Sequence, residues 1–338
     1  MGEKVLMKGN EAIGEAAIRS GCRHFFGYPI TPQTELSAYM AKKMPKINGV
    51  FLQAESEVSA INMVYGAAAA GMTSSSSPGI SLKAEGISYL AAGDLPCVIV
   101  NIVRGGPGLG GIQPAQSDYF QAVKGGGHGD YHLIALAPAS VQEMADFVKL
   151  GFDLAFKYRN PAIILADGVI GQMMEKVVLP EPTPRRTEEE VIKQCPWAST
   201  GCKGRKPNII TSLELDPAIM EVRNIHLQEK YAEIEANERR YEEILCDDAE
   251  YLIVAFGSCA RIAQKAIDHA REEGIKVGLF RPITLWPFPA PELAERAKQV
   301  KGILVVELNS GQMIEDVKLS VECNLPVEHF GRLGGIVP

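Results

Sequence analysis

No Cys-x-x-Cys pair occurs in this chain, although it holds seven cysteines in 338 residues. Cys22, Cys97, Cys195, Cys202, Cys246, Cys259 and Cys323 are scattered. The nearest two, Cys195 and Cys202, lack the spacing of a zinc or ferredoxin-type site. An odd, dispersed set reads as reduced, mostly buried thiols of a cytoplasmic protein, and leaves no iron–sulfur ligand set on this chain. No apolar run is long enough to span a bilayer, so no membrane role is expected. The opening Met1 to Asn10 has no apolar core like that of a signal peptide. Leu6 stands where a myristoylation motif needs Ser or Thr. The formal net charge is −7, which removes the electrostatic case for nucleic acid. Histidine is scarce, and neither a Ser/His/Asp set nor a His-rich metal site with useful spacing is present. No Gly-Lys-Ser/Thr occurs, which excludes a Walker A loop. Short-period repeats and low-complexity tracts are absent as well.

The composition is that of a globular protein: 46% hydrophobic and 22% charged residues. The length suggests about two domains. Short apolar strands alternate with amphipathic helices from Glu11 to Asp167, which predicts a doubly wound parallel sheet over residues 1–178. Cys97 to Val103 is a near-continuous apolar run, suited to a central strand covered on both faces. Thr31, followed by Pro32, is placed to cap a helix running to about Met44. Residues 179–248 break the alternation. Pro180, Pro182 and Pro184 read as a linker, and Asp216 to about Cys246 as one long charged helix. On it Ile219, Val222, His226, Tyr231, Ile234 and Tyr241 suit either a partner surface or a solvated face. A second, smaller α/β unit fills 249–338.

The most informative stretch runs from Gln53 to Gly71. It opens with Glu55 and Glu57 and continues into a helix rich in small residues. Glu57, Ile61, Val64 and Ala68 share one helical face, apolar except at its first member. The positive end of the helix favours a carboxylate there, but a buried ionised group is costly without a partner. A pair of solvated helix-start acids is the plainer reading of the same residues.

In an open parallel sheet, ligands bind beyond the carboxyl ends of the strands. Three loops fall there: Tyr28 to Thr34, Thr73 to Ser81, and Arg104 to Gly111. The last is glycine-rich but does not match the Rossmann fingerprint, and it reads equally as a surface loop. Arg104, directly after a buried strand, suits bidentate binding of a carboxylate, or an ion pair with an acid such as Asp118. His24 reads as core, and His128 and His132 as loop and sheet-edge groups. One acid, one arginine and several hydroxyls, without a nucleophile, point to chemistry carried by a cofactor.

Four blocks then stand in order: Gly27-Tyr-Pro-Ile-Thr-Pro32, Glu55-Ser-Glu57, Ser77-Pro-Gly-Ile-Ser81 and Val103-Arg-Gly-Gly-Pro-Gly108. Together they resemble the alpha-type, pyrimidine-binding subunit of the 2-oxoacid:ferredoxin oxidoreductases, over essentially the whole chain. Pro196-Trp-Ala-Ser-Thr-Gly201 and Phe280-Arg-Pro-Ile-Thr-Leu-Trp-Pro-Phe288 are most similar to the branched-chain, 2-oxoisovalerate type. The resemblance implies a thiamine-diphosphate-binding domain followed by a domain like the C-terminal domain of transketolases. It implies oxidative decarboxylation of a 2-oxoacid to acyl-CoA and carbon dioxide, with electrons passed to ferredoxin.

The family places its thiamine-activating glutamate nine residues before a helix glycine. Glu57 and Gly66 fit that spacing; Glu55 does not. By resemblance, Glu57 bonds a ring nitrogen of the aminopyrimidine and favours the imino tautomer that deprotonates the thiazolium carbon. Thr31 and Arg104 face the substrate, with Arg104 as carboxylate anchor. Tyr28, Pro29, Ile30 and Ser81 join Glu57 at the cofactor. No Gly-Asp-Gly…Asn block is present, so the magnesium and diphosphate are expected on a beta-type partner. Iron–sulfur clusters and coenzyme A chemistry are expected with small ferredoxin-like and gamma-type subunits. The rival readings are the same reaction on 2-oxoglutarate or another 2-oxoacid, and a non-catalytic scaffold subunit.

Overall fold

The computed structural model describes residues 4–67 and 71–336. Ala68, the last member of the Glu57 face, lies outside the described residues. The first unit comprises β1 (Lys4–Lys8), α1 (Gly9–Arg19), β2 (His24–Gly27), α2 (Thr34–Lys43), β3 (Val50–Gln53), α3 (Glu57–Gly66), β4 (Gly71–Ser75), α4 (Ser77–Ala92), β5 (Val98–Val103), α5 (Tyr119–Val123), β6 (Ile134–Leu136), α6 (Val141–Tyr158), β7 (Ala162–Asp167), α7 (Gly168–Gln172) and β8 (Met174–Val178). A connecting stretch holds α8 (Glu188–Gln194) and α9 (Pro217–Asn237). The second unit comprises β9 (Tyr241–Ile244), β10 (Tyr251–Ala255), α10 (Gly257–Glu272), β11 (Val277–Pro282), β12 (Thr284–Trp286), α11 (Ala290–Ala297), β13 (Gly302–Glu307), α12 (Met313–Ser320) and β14 (Val327–Gly331). Among the described residues no helix is long and apolar enough to cross a membrane.

The main sheet has the order β12-β6-β7-β5-β4-β2-β3 and is parallel except at β12. Its central strand β5 is buried throughout, as its nearly continuous apolar run requires. Val98, Val100 and Ile102 point to a core with α1, α2 and α6, while Ile99 and Val103 point to one with α3 and α4. The period-two alternation of a strand therefore feeds both layers of a doubly wound sheet. The smaller sheet has the order β14-β13-β10-β11-β9, and β1 pairs with β8 in a two-stranded ribbon.

Chain order across the main sheet locates the crevice. From β2 the chain crosses to β3 at the edge, then returns to β4 on the other side of β2. The gap between β2 and β4 is thus the topological switch point, where connections diverge to opposite faces. The β2/β4 ladder pairs only His24 with Gly71 and Phe25 with Met72. Beyond it the strands are joined by side chains. Thr73 Oγ1 donates to the Phe26 carbonyl at 2.6 Å, and Ser74 Oγ to Gln33 Oε1 at 2.6 Å.

The two units interlock. Arg281, nearly fully buried, donates to both carboxylate oxygens of Glu143 at 2.8 and 2.6 Å. Gln116 donates to the Phe256 carbonyl at 2.8 Å and accepts from the Leu308 amide at 3.0 Å. Residues 284–286, from the second unit, add an antiparallel edge strand to the first sheet, and Trp286 stacks on His132 with ring centroids 4.5 Å apart. The Phe280 to Phe288 block thus packs at the junction of the two units.

Several local expectations are corrected. The long helix ends at Asn237 rather than near Cys246. The buried Glu238 carboxylate there takes hydrogen bonds from Lys157, Tyr158 and Arg240, and the Arg240 amide donates to Thr284 Oγ1, which draws the chain into β9. Leu227, Tyr231 and Ile234 of α9 are buried, while Ile219 and Val222 are exposed and Tyr241 lies on β9. Thr31 caps nothing: α2 starts at Thr34 behind Gln33. The hydroxyl-rich Thr73 to Ser81 supplies the expected strand end but no loop. Thr73 to Ser75 end β4, and α4 begins at Ser77 with Pro78 in its first turn.

Candidate functional site

Glu57 opens α3 behind Ser56, whose hydroxyl accepts from the Ser59 amide at 3.2 Å. That cap turns the first residue of the helix inward, toward α4. Glu57 is 6% exposed. Glu55, two residues earlier, is exposed and accepts from Ser59 Oγ. The structure therefore separates the two acids as buried and solvated.

Close approach of α4 makes room for Glu57. A Cβ on Gly79 would stand 2.7 Å from Glu57 Oε1 and 2.1 Å from Ser75 Oγ. Two turns along, a Cβ on Gly86 would stand 2.4 Å from Ile61 Cγ2. Glycine is required at both positions for the helices to pack at this distance. Among the described residues no hydrogen bond reaches the Glu57 carboxylate.

Arg104 directly follows β5, with 8% exposure. Its Nη1 donates to the Thr31 carbonyl at 2.9 Å and its Nη2 to the Leu109 carbonyl at 3.1 Å. No ion pair with Asp118 forms. Asp118 instead accepts from Asn101 Nδ2 at 2.8 Å, and burial pushes its carboxyl above the usual range. Ser77, at the start of α4, exchanges hydrogen bonds with the Arg104 main chain at 3.2 and 3.1 Å. The first turn of α4 thus touches Glu57 through Gly79 and Arg104 through Ser77.

The loop after β2 presents Tyr28, Pro29, Ile30 and Thr31 at the mouth, with Pro29 and Thr31 exposed. Gln33 anchors it underneath, donating to the Tyr28 carbonyl at 3.4 Å and accepting from Ser74. Ser81 stands apart: it lies a turn into α4, exposed, accepting from Gln121 Nε2 at 3.0 Å and donating to the Ser77 carbonyl at 3.3 Å.

Two residues of this region carry no expectation from the sequence. Gln33 has no sequence signal. Lys83 has one, since it shares the face of α4 with Gly79, Gly86 and Leu90 and is fully buried. Its ammonium donates to Thr73 Oγ1 at 2.8 Å and to the Ser74 carbonyl at 3.0 Å. Burial pushes its pKa down to about 7, against the pull of Glu57.

Orphaned polar atoms mark where a ligand fits. Ser75 Oγ, Ser76 Oγ and Arg104 Nε are buried without a hydrogen-bond partner in the chain. They lie with the unbonded Glu57 carboxylate around the glycine-lined start of α4, a donor and acceptor set that suits a polar heterocycle held against close backbone. No group of His, Cys, Asp and Glu among the described residues could hold a metal ion. A cavity of about 620 Å³ lies elsewhere, lined by Arg23, His24, Tyr65 and Trp197. It meets the far end of α3, about 13 Å from Glu57 along the helix axis, and His24 faces it rather than the core.

Residues 15–243 match the family model for pyruvate flavodoxin/ferredoxin oxidoreductase, thiamine diphosphate-binding. Residues 249–338 match that of the pyruvate:ferredoxin oxidoreductase core domain II. The chain is 52% identical to ketoisovalerate oxidoreductase subunit VorB of Methanothermobacter marburgensis, over 98% of this chain and 93% of that protein. It is 36% identical to 2-oxoglutarate synthase subunit KorA of Methanothermobacter thermautotrophicus, over 99% and 96%. The solved 2-oxoglutarate:ferredoxin oxidoreductase of Magnetococcus marinus, with 2-oxoglutarate, coenzyme A and succinyl-CoA bound, superposes with a TM-score of 0.86 at 28% identity. That match covers 99% of this chain and 63% of the other. A split-gene transketolase, an inactive beta4 tetramer, shares the fold with a TM-score of 0.58 at 15% identity. With both family models matched in order along its length, the chain belongs to the thiamine-diphosphate-binding pyruvate flavodoxin/ferredoxin oxidoreductase family.

Proposed function

We propose that this chain is the alpha-type subunit of a 2-oxoacid:ferredoxin oxidoreductase acting on a branched-chain 2-oxoacid, with 2-oxoisovalerate as the preferred substrate. One observation carries the catalytic part of this reading: Glu57 is a buried carboxylate without a hydrogen-bond partner at the switch point of a doubly wound sheet. Thiamine diphosphate, when bound, supplies the carbon nucleophile that decarboxylates a 2-oxoacid. Glu57 would accept a hydrogen bond from the protonated pyrimidine ring nitrogen and so favour the imino tautomer, a bond strengthened by exclusion of water. Tyr28, Pro29 and Ile30 form the wall opposite, and Ser75 and Ser76 offer unfilled hydroxyls. Ser81, exposed on α4, is retained only as a residue at the mouth. Arg104 keeps N–H groups for the substrate carboxylate while two carbonyls hold its guanidinium in place. Thr31 stands beside it at the opening.

The branched-chain preference rests on the 52% identity to a ketoisovalerate oxidoreductase subunit against 36% to 2-oxoglutarate synthase subunits. The domain division at about residues 178 and 249 is proposed on the end of β8 and the start of β10, with β9 as a strand of the connecting stretch that joins the second sheet beside β11, and β12 as an exchange strand between the units. A beta-type partner supplies the magnesium and diphosphate half of the site. Iron–sulfur clusters on small ferredoxin-like subunits lead electrons to ferredoxin, and a gamma-type subunit completes the transfer of the acyl group to coenzyme A. The test is to co-express the chain with its beta-type and smaller partners and measure viologen reduction with coenzyme A and a series of 2-oxoacids. The highest kcat/KM is expected with 2-oxoisovalerate. A higher value with 2-oxoglutarate refutes the substrate assignment, and full turnover by this chain alone refutes the divided site.

A further inference from the structure

The stretch from Pro196 to Gly201 has no part in the Glu57 crevice. It belongs to the strap between β8 and α9. The cavity of about 620 Å³ lies between that strap and the amino ends of β2 and β5, at the opposite end of the main sheet. Its wall is fixed by hydrogen bonds. Asn208 Nδ2 donates to the carbonyls of Pro196 and Ala198 at 2.6 and 2.9 Å, and the Thr183 amide donates to the Arg19 carbonyl at 2.6 Å. Trp197 is held from the side by Arg159, whose guanidinium lies 4.7 Å from the indole ring while its Nε donates to the Asp94 carbonyl at 3.1 Å.

The wall surrounds positive charge without a counter-charge. Arg23, Arg185 and Arg186 line the cavity, and among the described residues no carboxylate does. Their only polar partners are neutral. Arg23 Nη1 donates to the carbonyls of Ile18 and Cys22 at 3.0 and 2.8 Å, and Arg186 Nη1 donates to Gln194 Oε1 at 3.1 Å. Arg185 bonds nothing among the described residues. In the rest of this chain, of formal net charge −7, arginines meet acids: Arg271 pairs with Asp248, Arg281 with Glu143 and Arg296 with Glu243. Burial, and then the like charges of Arg185 and Arg186, push Arg23 below the usual arginine range. Three cations thus share one concave space, an arrangement that costs free energy until an anion enters.

The remaining lining decides what kind of anion. Tyr65, Leu95, Trp197 and Ile210 give a flat apolar wall, and His24 Nδ1 is buried without a hydrogen-bond partner. The volume is that of a site for an organic ligand rather than an inorganic ion. A guanidinium fork matches phosphate oxygens, and a heterocyclic base stacks on aromatic rings. We propose that this cavity is a binding site for a nucleoside polyphosphate. Arg23, Arg185 and Arg186 take the phosphates, Tyr65 and Trp197 the base, and His24 Nδ1 a polar group of the base or sugar.

The experiment titrates ATP, ADP, AMP, adenosine, tripolyphosphate and citrate into the assembled oxidoreductase by calorimetry, a readout that needs no turnover. ATP is expected to bind tightest, with ADP and AMP successively weaker, adenosine and citrate weakest, and added salt weakening the series. The double variant Arg185→Gln, Arg186→Gln loses about tenfold or more in ATP affinity. Its affinities for coenzyme A and thiamine diphosphate are unchanged, since both arginines lie on the strap. Trp197→Ala weakens ATP several-fold and leaves tripolyphosphate unaffected. Absence of saturable heat with millimolar ATP overturns the proposal, as does citrate binding as tightly as ATP. ATP binding that survives loss of both arginines overturns it too. Parallel loss of ATP and coenzyme A affinity in that variant assigns the cavity to coenzyme A and overturns it as well.

Discussion

Arg104 Nη1 donates to the main-chain oxygen of Thr31 at 2.9 Å, so the residue that follows β5 clamps the loop that follows β2. The side chain assigned to the substrate carboxylate is thereby fixed by the backbone of the residue assigned beside it. Replacing Arg104 with Lys keeps the charge but loses the planar fork and one of the two carbonyl bonds. R104K is expected to lower kcat/KM for the 2-oxoacid on the order of 10²-fold, largely through KM, with thiamine diphosphate affinity little changed. Steady-state kinetics over a range of 2-oxoacid concentrations measures the split. Unchanged KM would remove Arg104 from the substrate.

Glu57→Gln keeps the volume and removes the charge. Loss of a positioned acid–base group costs about 10²–10⁴-fold in turnover. The expected result is that loss with assembly and thermal midpoint retained, read by viologen reduction and circular dichroism. Glu55→Gln, altering an exposed acid, is expected to leave turnover within about twofold, since surface changes away from special features have small effects.

Gly79→Ala places a methyl 2.1 Å from Ser75 Oγ and 2.7 Å from Glu57 Oε1. Overpacking of this kind costs about 1–3 kcal/mol. Lower thermal stability is expected together with weaker thiamine diphosphate binding, because the displaced atoms are those of the site. Stability loss with normal cofactor affinity would show that the approach of α4 serves packing only.

Lys83 makes stability depend on pH in a stated direction. Its folded pKa is lowered to about 7 from 10.5. Between these values the unfolded chain binds the extra proton, so stability rises with pH through that window. It is fully gained above the unfolded pKa and lost as pH falls through the folded one. Relative to Lys83→Met, the wild-type chain gains up to about 1.4 kcal/mol per pH unit from pH 7 to 10. Thermal midpoints of the two proteins across that range check the sign; parallel curves would refute it.

Much of the candidate site is legible in the sequence. Glu57 stood out as the acid on an apolar helical face, and its nine-residue distance to Gly66 distinguished it from Glu55. Arg104 stands out because it follows a nearly continuous apolar strand. Lys83 was legible in principle, as a lysine on the apolar face of α4, but the stretch before it read as a loop of hydroxyls. Serine favours turns and caps by local hydrogen bonding, and here Thr73 and Ser74 spend their hydroxyls across the β2/β4 gap instead. The end of α9 was not legible, because Glu238 is buried by partners from α6 and from the chain itself.

The sequence by itself determined the doubly wound architecture and the family, and singled out one acid and one arginine as candidates for the chemistry. Strand and helix periodicity is local, and motif residues keep their spacing whatever surrounds them. Only the tertiary structure decided what those residues face. It separated Arg104 from Asp118, exposed Ser81, joined the two units through residues 284–286, and buried Lys83 against the end of β4. Each of these depends on groups distant in the chain meeting in a crevice that water leaves, where burial and a neighbouring charge outweigh local preference.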